Sequence, residues 1–236
     1  MITDKSKPYS YRSDVVSALS EEIASSDENV VVVHGGGSFG HVLAHQHGIS
    51  STPSEASPHG VARTRAAMYE LNQLVCRTMM EFKVNPYPFS PFDAAGRAGK
   101  AELAKWLRDL LKKKMTPLTF GDVTTSGNGF RILSGDLIVL ELAKSLLPER
   151  CVFALDVDGV YEENTSVIIP ELSPSKIRKM KVDAGDDATG GMKLKLDVAA
   201  RLATLGSKVC FVSGYRRNEF SKALKGLEFY GTVVRS

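Results

Sequence analysis

The sequence predicts an α/β fold, an open αβα sandwich around a largely parallel sheet. Short apolar runs rich in β-branched residues alternate along the chain with longer segments whose apolar residues recur at helical spacing. Such alternation is typical of parallel strands joined by helical connections. Glycine-rich and acidic segments follow several of the apolar runs, which is where sheets of this kind bind ligands. The 236 residues, 43% of them hydrophobic, suffice for one large domain or two small ones.

The individual elements follow from local patterns. The valine run at 30–33 is short and uninterrupted, as expected of a strand buried on both faces. Gly-Asn-Gly within 124–130 predicts a hairpin turn, because these residues tolerate positive φ. The predicted helices cover 14–25, 63–82, 100–113, 134–147, 190–205 and 219–226. The predicted strands cover 29–33, 117–123, 150–161 and 208–214, with an irregular strand at 86–89 and a polar surface loop at 50–60.

Composition restricts the function classes. A formal net charge of +3 is too small to argue for nucleic-acid binding but suits an anionic substrate. The densest basic run, 112–114, is expected on a solvated helix end. Three scattered cysteines, Cys76, Cys151 and Cys210, lack zinc-site spacing and favour reduced thiols in a cytoplasmic protein. An apolar run long enough to span a membrane and a signal-peptide pattern are both absent from the sequence, so no membrane partner is expected.

The segment "HGGGSFGH" at 34–41 is the first candidate site. Three glycines after a strand allow positive φ and let a ligand approach the main chain. Ser38 is expected to cap the helix that follows, whose N-terminal amides and dipole favour an anion. The segment therefore predicts a phosphate cradle, and it matches neither the P-loop nor the dinucleotide fingerprint. A tight turn without a ligand remains the alternative.

Three further segments are predicted at the same level of the sheet: "FGDV" with "LSGD", "LDVDGVY", and "DATGGMKLK". In the last, 189–191 opens a helix that carries Lys193 and Lys195 in its first turns. A second anion cradle beside a lysine suggests a polyphosphate approached from two sides, with Asp136 positioning the lysines. Each feature also has a structural explanation that needs no ligand. Asp136 can be a charge at a helix start, Lys195 a solvated lysine, and "DVDG" an ordinary turn.

In this order and spacing, the five motifs resemble those of the amino acid kinase superfamily, and within it the family of archaeal-type isopentenyl phosphate kinases. The resemblance covers nearly the whole chain, and "HGGGSFGH" is its most specific part, because the closing histidine separates this branch from kinases of carboxylates. It implies a single domain of the amino acid kinase, or carbamate kinase-like, fold. Residues 1–148 would hold the phosphoacceptor and 149–236 would hold ATP.

The resemblance also implies roles for individual residues. Gly36, His41 and Gly135 would bind the acceptor phosphate, Lys5 would stabilise the transferring phosphoryl group, and Asp136 would organise the lysines. The residues implied on the ATP side are Gly37, Asp156, Tyr161, Gly191 and Lys195.

The implied reaction is ATP-dependent phosphorylation of isopentenyl phosphate to isopentenyl diphosphate, in isoprenoid biosynthesis through the mevalonate pathway. ATP and Mg²⁺ are the implied cofactors, and the enzyme would be a cytoplasmic homodimer. The apolar face of 63–82, with Val75 and Met79, would shelter the five-carbon tail, although core packing explains these residues equally well.

One departure from the family pattern leads to a further expectation. The family carries a strand with lysine, two glycines and serine just before the segment that "MITDK" resembles. We expect that strand to belong to the native protein, because its neighbours would otherwise expose apolar edges. Two alternatives keep the motifs but change the function: a kinase of another small phosphate or of a phosphonate such as fosfomycin, and an inactive nucleotide-binding regulatory protein.

Overall fold

The computed structural model describes residues 1–4, 6–163, 165–180 and 191–236, without the side chains of 91–98 and 100. The helices are α1 (Ser13–Ser26), α2 (Gly37–Gln46), α3 (Pro58–Glu81), α4 (Pro91–Lys112), α5 (Gly135–Leu146), α6 (Pro174–Ile177), α7 (Gly191–Thr204) and α8 (Glu219–Leu224). The strands are β1 (Val32–His34), β2 (Pro86–Pro88), β3 (Thr116–Phe120), β4 (Asp122–Ser126), β5 (Gly129–Leu133), β6 (Arg150–Leu155), β7 (Glu171–Leu172), β8 (Lys208–Ser213) and β9 (Gly231–Val234).

The strands form two parallel-dominated sheets and one hairpin. The first sheet has the order β1-β3-β2, and the second has the order β6-β8-β9-β7. All pairings in these sheets are parallel except that of β8 with β9. The antiparallel hairpin of β4 and β5 lies where the sequence predicts a turn. The α/β fold predicted from the sequence is confirmed.

Helices cover both faces of the sheets. One layer contains α1, α2, α3 and α8, and the other contains α4, α5, α6 and α7. Alternate residues of the valine run face the two layers: Val32 of β1 packs with α1, α2 and α3, whereas Val31, just before β1, and Val33 pack with α4 and α5. The side-chain period of two in a strand thus puts the valine run in contact with both layers. None of the helices in the described ranges is both long and apolar enough to cross a membrane.

An open gap separates the two sheets. Within the described residues β1 pairs only with β3, and β6 pairs only with β8, so each strand has one unpaired edge. Both edges line a cavity of about 810 Å³, which also receives apolar side chains from α1 and α5. A further parallel strand would pair with both edges here. The expectation of such a strand stays a prediction.

Several element boundaries differ from the sequence expectations. Strand β1 begins at Val32 rather than at 29, because 29–31 face the gap and pair with no described strand. Helix α3 begins at Pro58, inside the expected loop, since the Ser57 hydroxyl accepts a hydrogen bond from the Gly60 amide. Helix α4 begins at Pro91 and contains a non-helical residue, Gly99, with φ of 73°. The short strands β7 and β9 were not expected. Lys112, Lys113 and Lys114 are exposed, as expected.

Candidate active site

The glycine segment after β1 forms a tight cradle at the start of α2. Gly36 is the N-cap residue of α2, and Gly37 has φ of 46°. A Cβ atom on Gly37 would lie 1.9 Å from Thr3 Oγ1, so both the conformation and the space require glycine. Ser38 is not the cap that the sequence predicts: it lies inside α2, and its amide donates to Thr3 Oγ1 at 3.0 Å. Sequence analysis missed Thr3, because no local pattern connects it to α2.

His41 lies one turn into α2, half-buried, and lines the same cavity as Gly36. Met68 of α3 closes this side of the cradle. A Cβ atom on Gly36 or Gly40 would come within 2.9 or 2.7 Å of Met68 Sδ. Met68 is the second residue that the sequence does not identify. The spacing of apolar residues along α3 shows which face of the helix is apolar but not what that face contacts.

The "SGD" segment starts α5 against the same cradle. The Ser134 hydroxyl accepts a hydrogen bond from the Leu137 amide at 3.3 Å and caps the helix. A Cβ atom on Gly135 would lie 3.1 Å from the His34 carbonyl oxygen, so glycine allows β1 and α5 to come close. The starts of α2 and α5 therefore both lie at the carboxyl end of β1.

Asp136 and Lys195 form an ion pair across the cavity. The distance from Lys195 Nζ to Asp136 Oδ1 is 2.7 Å, and the two side chains are 23% and 20% exposed. Lys195 Nζ also lies 5.2 Å from the centre of the Phe153 ring on β6. Gly191, the first residue of α7, has φ of 51° and lines the same cavity. The structure thus brings together Asp136 and Lys195, two of the residues for which the resemblance implies a role.

The segment after β6 supplies two of the implied residues, in different places. Asp156 is exposed and lines the cavity, but Tyr161 is not among the described residues of the cavity wall. The Tyr161 hydroxyl instead accepts a hydrogen bond from the Asp158 amide at 3.4 Å. Arg216 donates two hydrogen bonds to the Asp158 carboxylate, at 2.6 and 2.9 Å, and these lower the pKa of Asp158. The only sequence signal for Arg216 is its position just after a buried strand.

Two of the predicted features lie outside the described residues: Lys5, and Thr189 with Gly190 in the segment 181–190.

Together these groups form a candidate anion site. Three helices, α2, α5 and α7, begin with Gly37, Gly135 and Gly191, and all three glycines line one cavity. Helix N-termini carry unpaired amides and partial positive charge, and therefore bind phosphate groups. Lys195 adds a full positive charge held at a fixed position by Asp136. In the part of the chain described, no group of three metal-ligating side chains is present. The arrangement can hold a polyphosphate and stabilise negative charge that moves along it.

Comparison with known proteins identifies the family of the chain. Residues 1–213 match the amino acid kinase family. The isopentenyl phosphate kinase of Haloferax volcanii is 34% identical over 243 residues, which cover 100% of this chain and 95% of the relative. That of Thermoplasma acidophilum is 27% identical over 246 residues, covering 100% and 96%. A crystal structure of a T. acidophilum isopentenyl phosphate kinase product complex superposes with a TM-score of 0.80 at 24% identity, covering 99% of this chain and 95% of that one. The chain belongs to the amino acid kinase family, and within it resembles the isopentenyl phosphate kinases along its whole length.

Proposed function

We propose that the protein is an isopentenyl phosphate kinase, which transfers the γ-phosphoryl group of ATP to isopentenyl phosphate and releases isopentenyl diphosphate and ADP. The main support for the proposal is that three helix N-termini converge on one cavity. Lys195 lines the same cavity and is held in place by Asp136. The full-length similarity to five kinases of this name supports the choice of acceptor.

The acceptor and the nucleotide are assigned to opposite sides of the cavity. Gly36, His41 and Gly135 lie around the starts of α2 and α5 and are proposed to bind the acceptor phosphate. The residues proposed for the ATP site are Gly37, beside Gly36, and Asp156, Gly191 and Lys195, all of which line the cavity, together with Tyr161, which lies outside its described wall. Lys5 keeps its proposed role at the transferring phosphoryl group.

Phosphoryl transfer at such a site needs charge stabilisation rather than a nucleophilic side chain. The acceptor is already an ionised phosphate monoester, so its oxygen attacks the γ-phosphorus directly and no catalytic base is required. As that bond forms, the bond from the γ-phosphorus to the bridging oxygen breaks, and ADP leaves with the electron pair. Lys195 and the glycine amides stabilise the charge spread over the phosphoryl oxygens. Asp136 holds the Lys195 ammonium in place.

Mg²⁺ fits this donor set as an ion carried mainly by the nucleotide. Proteins usually bind Mg²⁺ through one or two carboxylates together with substrate phosphates. The exposed Asp156 carboxylate at the cavity is suited to this role, whereas the Asp136 carboxylate is engaged with Lys195. When bound, the ion would neutralise charge on the β- and γ-phosphates.

We also propose that the enzyme is a cytoplasmic homodimer acting in the mevalonate pathway. Its three cysteines are buried and free, which suits a reducing compartment. Sedimentation equilibrium of the purified protein tests the dimer, and a monomer at micromolar concentration would contradict it.

An acceptor panel tests the function. The purified protein is incubated with ATP and Mg²⁺ and with isopentenyl phosphate, fosfomycin or an unrelated monophosphate, and ADP release is measured. We expect release with isopentenyl phosphate and a diphosphate product in the ³¹P spectrum. A preference for fosfomycin would instead identify a phosphonate kinase. ATP binding without ADP release for any acceptor would indicate a regulatory protein.

A pair of variants tests the assignment of the two sides. His41→Ala should lower kcat/KM for the acceptor about 10²-fold while ATP binding changes little, since one preorganised donor is lost. Lys195→Ala should weaken ATP binding and leave acceptor affinity unchanged. The opposite pattern, measured by titrating each ligand separately, would reverse the assignment.

A further inference from the structure

His34, the last residue of β1, has no part in the mechanism above, yet it lies directly before the glycine segment. Its side chain is buried, with the residue only 7% exposed, and its ring stacks on Phe120 with centroids 5.6 Å apart. Nδ1 lies 3.0 Å from the Gly35 carbonyl oxygen, and Nε2 lies 3.1 Å from Oδ1 of Asn72 on α3. Both ring nitrogens are thus engaged, one with the cradle and one with the helix behind it.

The contact with Gly35 fixes where the imidazole carries its proton. A carbonyl oxygen can only accept, so Nδ1 must donate to it. Burial lowers the pKa of His34, which favours a neutral ring with a single proton. Nε2 then has a lone pair and must accept a hydrogen bond. Oδ1 of Asn72 cannot donate, but a 180° rotation of the amide puts Nδ2 in its place, and Nδ2 then donates to Nε2. The chain of donors therefore runs from Asn72 through His34 to the Gly35 carbonyl.

The orientation of the Gly35 carbonyl determines that of the next amide. In a trans peptide unit the C=O and N–H bonds point in opposite directions. When the Gly35 carbonyl is held against the imidazole, the Gly36 N–H points away from it. Gly36 is the N-cap residue of α2 and lines the cavity. Its amide is thereby available to an anion at the helix start.

We propose that His34, anchored by Asn72, is a positioning residue that holds the Gly35–Gly36 peptide with its N–H directed at the acceptor phosphate. This rests on the proposed function, which assigns the acceptor to Gly36. Asn72 is 2% exposed and its amide would be costly to bury without a partner. Two apolar side chains at positions 34 and 72 would fill the same space without the cost of burying polar groups. We therefore attribute the polar pair of His34 and Asn72 to its effect on the glycine segment.

Two variants of His34 distinguish a role in holding the Gly35–Gly36 peptide from a role in core packing alone. In His34→Asn, the side-chain nitrogen occupies the place of Nδ1 and can still donate to Gly35. In His34→Gln, the terminal amide reaches the place of Nε2 and the link to Gly35 is lost. We expect His34→Asn to keep acceptor kcat/KM within about threefold of the wild type. His34→Gln should lower it at least about tenfold, with the KM for ATP unchanged, because a misplaced donor costs transition-state stabilisation.

The outcomes are distinguishable. Equal losses in both variants, in proportion to a fall in thermal stability, would show that His34 only packs the core and would overturn the proposal. If the wild type fails to phosphorylate isopentenyl phosphate, the proposed function fails instead.

A spectroscopic measurement on the wild type needs no activity and no variant. The ¹⁵N signals of the His34 ring should show a proton on Nδ1 and none on Nε2. On addition of inorganic phosphate, the Gly36 amide signal should shift. An Nε2–H tautomer, or a Gly36 amide insensitive to phosphate, would contradict the proposed chain of hydrogen bonds.

Discussion

Met68 and Met79 both belong to α3 but pack against different parts of the molecule. Met68 Sδ lies over the glycines of the cradle, whereas Met79 is 1% exposed and belongs to a core cluster with Val16 of α1 and Leu118 of β3. Met79 also lines the cavity, as Val75 does, but its burial in this cluster leads us to expect that it acts through core packing. Helical period alone identifies an apolar face and leaves its partner open.

Met79→Ala should lower the free energy of unfolding by about 2–5 kcal/mol, the usual cost of a large-to-small change in a core. The ratio of kcat/KM between a five-carbon and a ten-carbon acceptor should not change. Urea unfolding and the two rate constants measure both effects. A stable variant that gains activity on the longer acceptor would show that Met79 borders the tail after all.

The buried imidazole of His34 also predicts how stability depends on pH. Burial lowers its pKa in the folded protein, whereas an unfolded imidazole titrates near 6.5. Between these two values the unfolded chain binds a proton that the folded chain does not, so stability rises with pH and is lost as the pH falls below about 6.5. The slope from this one group approaches ~1.4 kcal/mol per pH unit.

Urea midpoints of the wild type and of His34→Gln across this pH range test the prediction. The variant should lose that part of the slope while the other histidines contribute equally to both proteins. Parallel pH profiles would contradict a neutral His34.

At the scale of elements, the gap between β1 and β6 is the main unpaired feature of the described fold. Val30, Val31 and Val33 are partly exposed on one side of it, and Val152 and Ala154 on the other. Met1 lies at the carboxyl end of the gap, where its sulphur packs on Gly214 after β8. A segment extended from Met1 back along the gap would run parallel to both edges.

An extension of about seven β-branched residues ahead of Met1 should therefore raise the thermal midpoint, because it would pair two open edges and cover apolar side chains. At about 3.3 Å per residue such a segment spans the six residues of β6 with one residue to spare. A glycine-serine extension of equal length is the matched control. If both extensions give the same midpoint, the gap does not accept a strand.

At the scale of the whole molecule, a few polar contacts join the two halves. Asp136 of α5 pairs with Lys195 of α7. The Glu22 carboxylate of α1 accepts hydrogen bonds from the amides of Asn218 and Ser221, at 2.9 and 2.7 Å, where α8 begins. Residues 1–148 and 149–236 are thus connected through side chains as well as through the chain itself.

We expect the halves to unfold as one cooperative unit. A nonhydrolysable ATP analogue at 100 times its Kd should then raise the stability of the whole protein by about 2.7 kcal/mol. Calorimetry should show a single transition that moves as a whole. The prediction would be wrong if calorimetry showed two transitions and the analogue shifted only the one that belongs to residues 149–236. The two halves would then unfold independently.

Apart from the short elements β7, α6 and β9, the sequence alone determined the order of strands and helices, and it also determined the glycine-rich starts of α2, α5 and α7. These features depend on side-chain period, β-branching and the conformational freedom of glycine, which are local properties and can be read from neighbouring residues. The motifs at 34–41 and 134–136 accordingly lie where the sequence places them, at the carboxyl end of a strand and the start of a helix.

Only the tertiary structure decided which distant groups meet. Thr3, rather than Ser38, satisfies the amide at the start of α2. Asn72 reaches His34 from another helix, and Met68 rather than Met79 lies over the glycines. The unpaired edges of β1 and β6 also appear only when strand order is known. Such contacts depend on the register of the strands and on how the helices pack on them. A sequence pattern shows which face of an element is apolar but not which residues that face contacts.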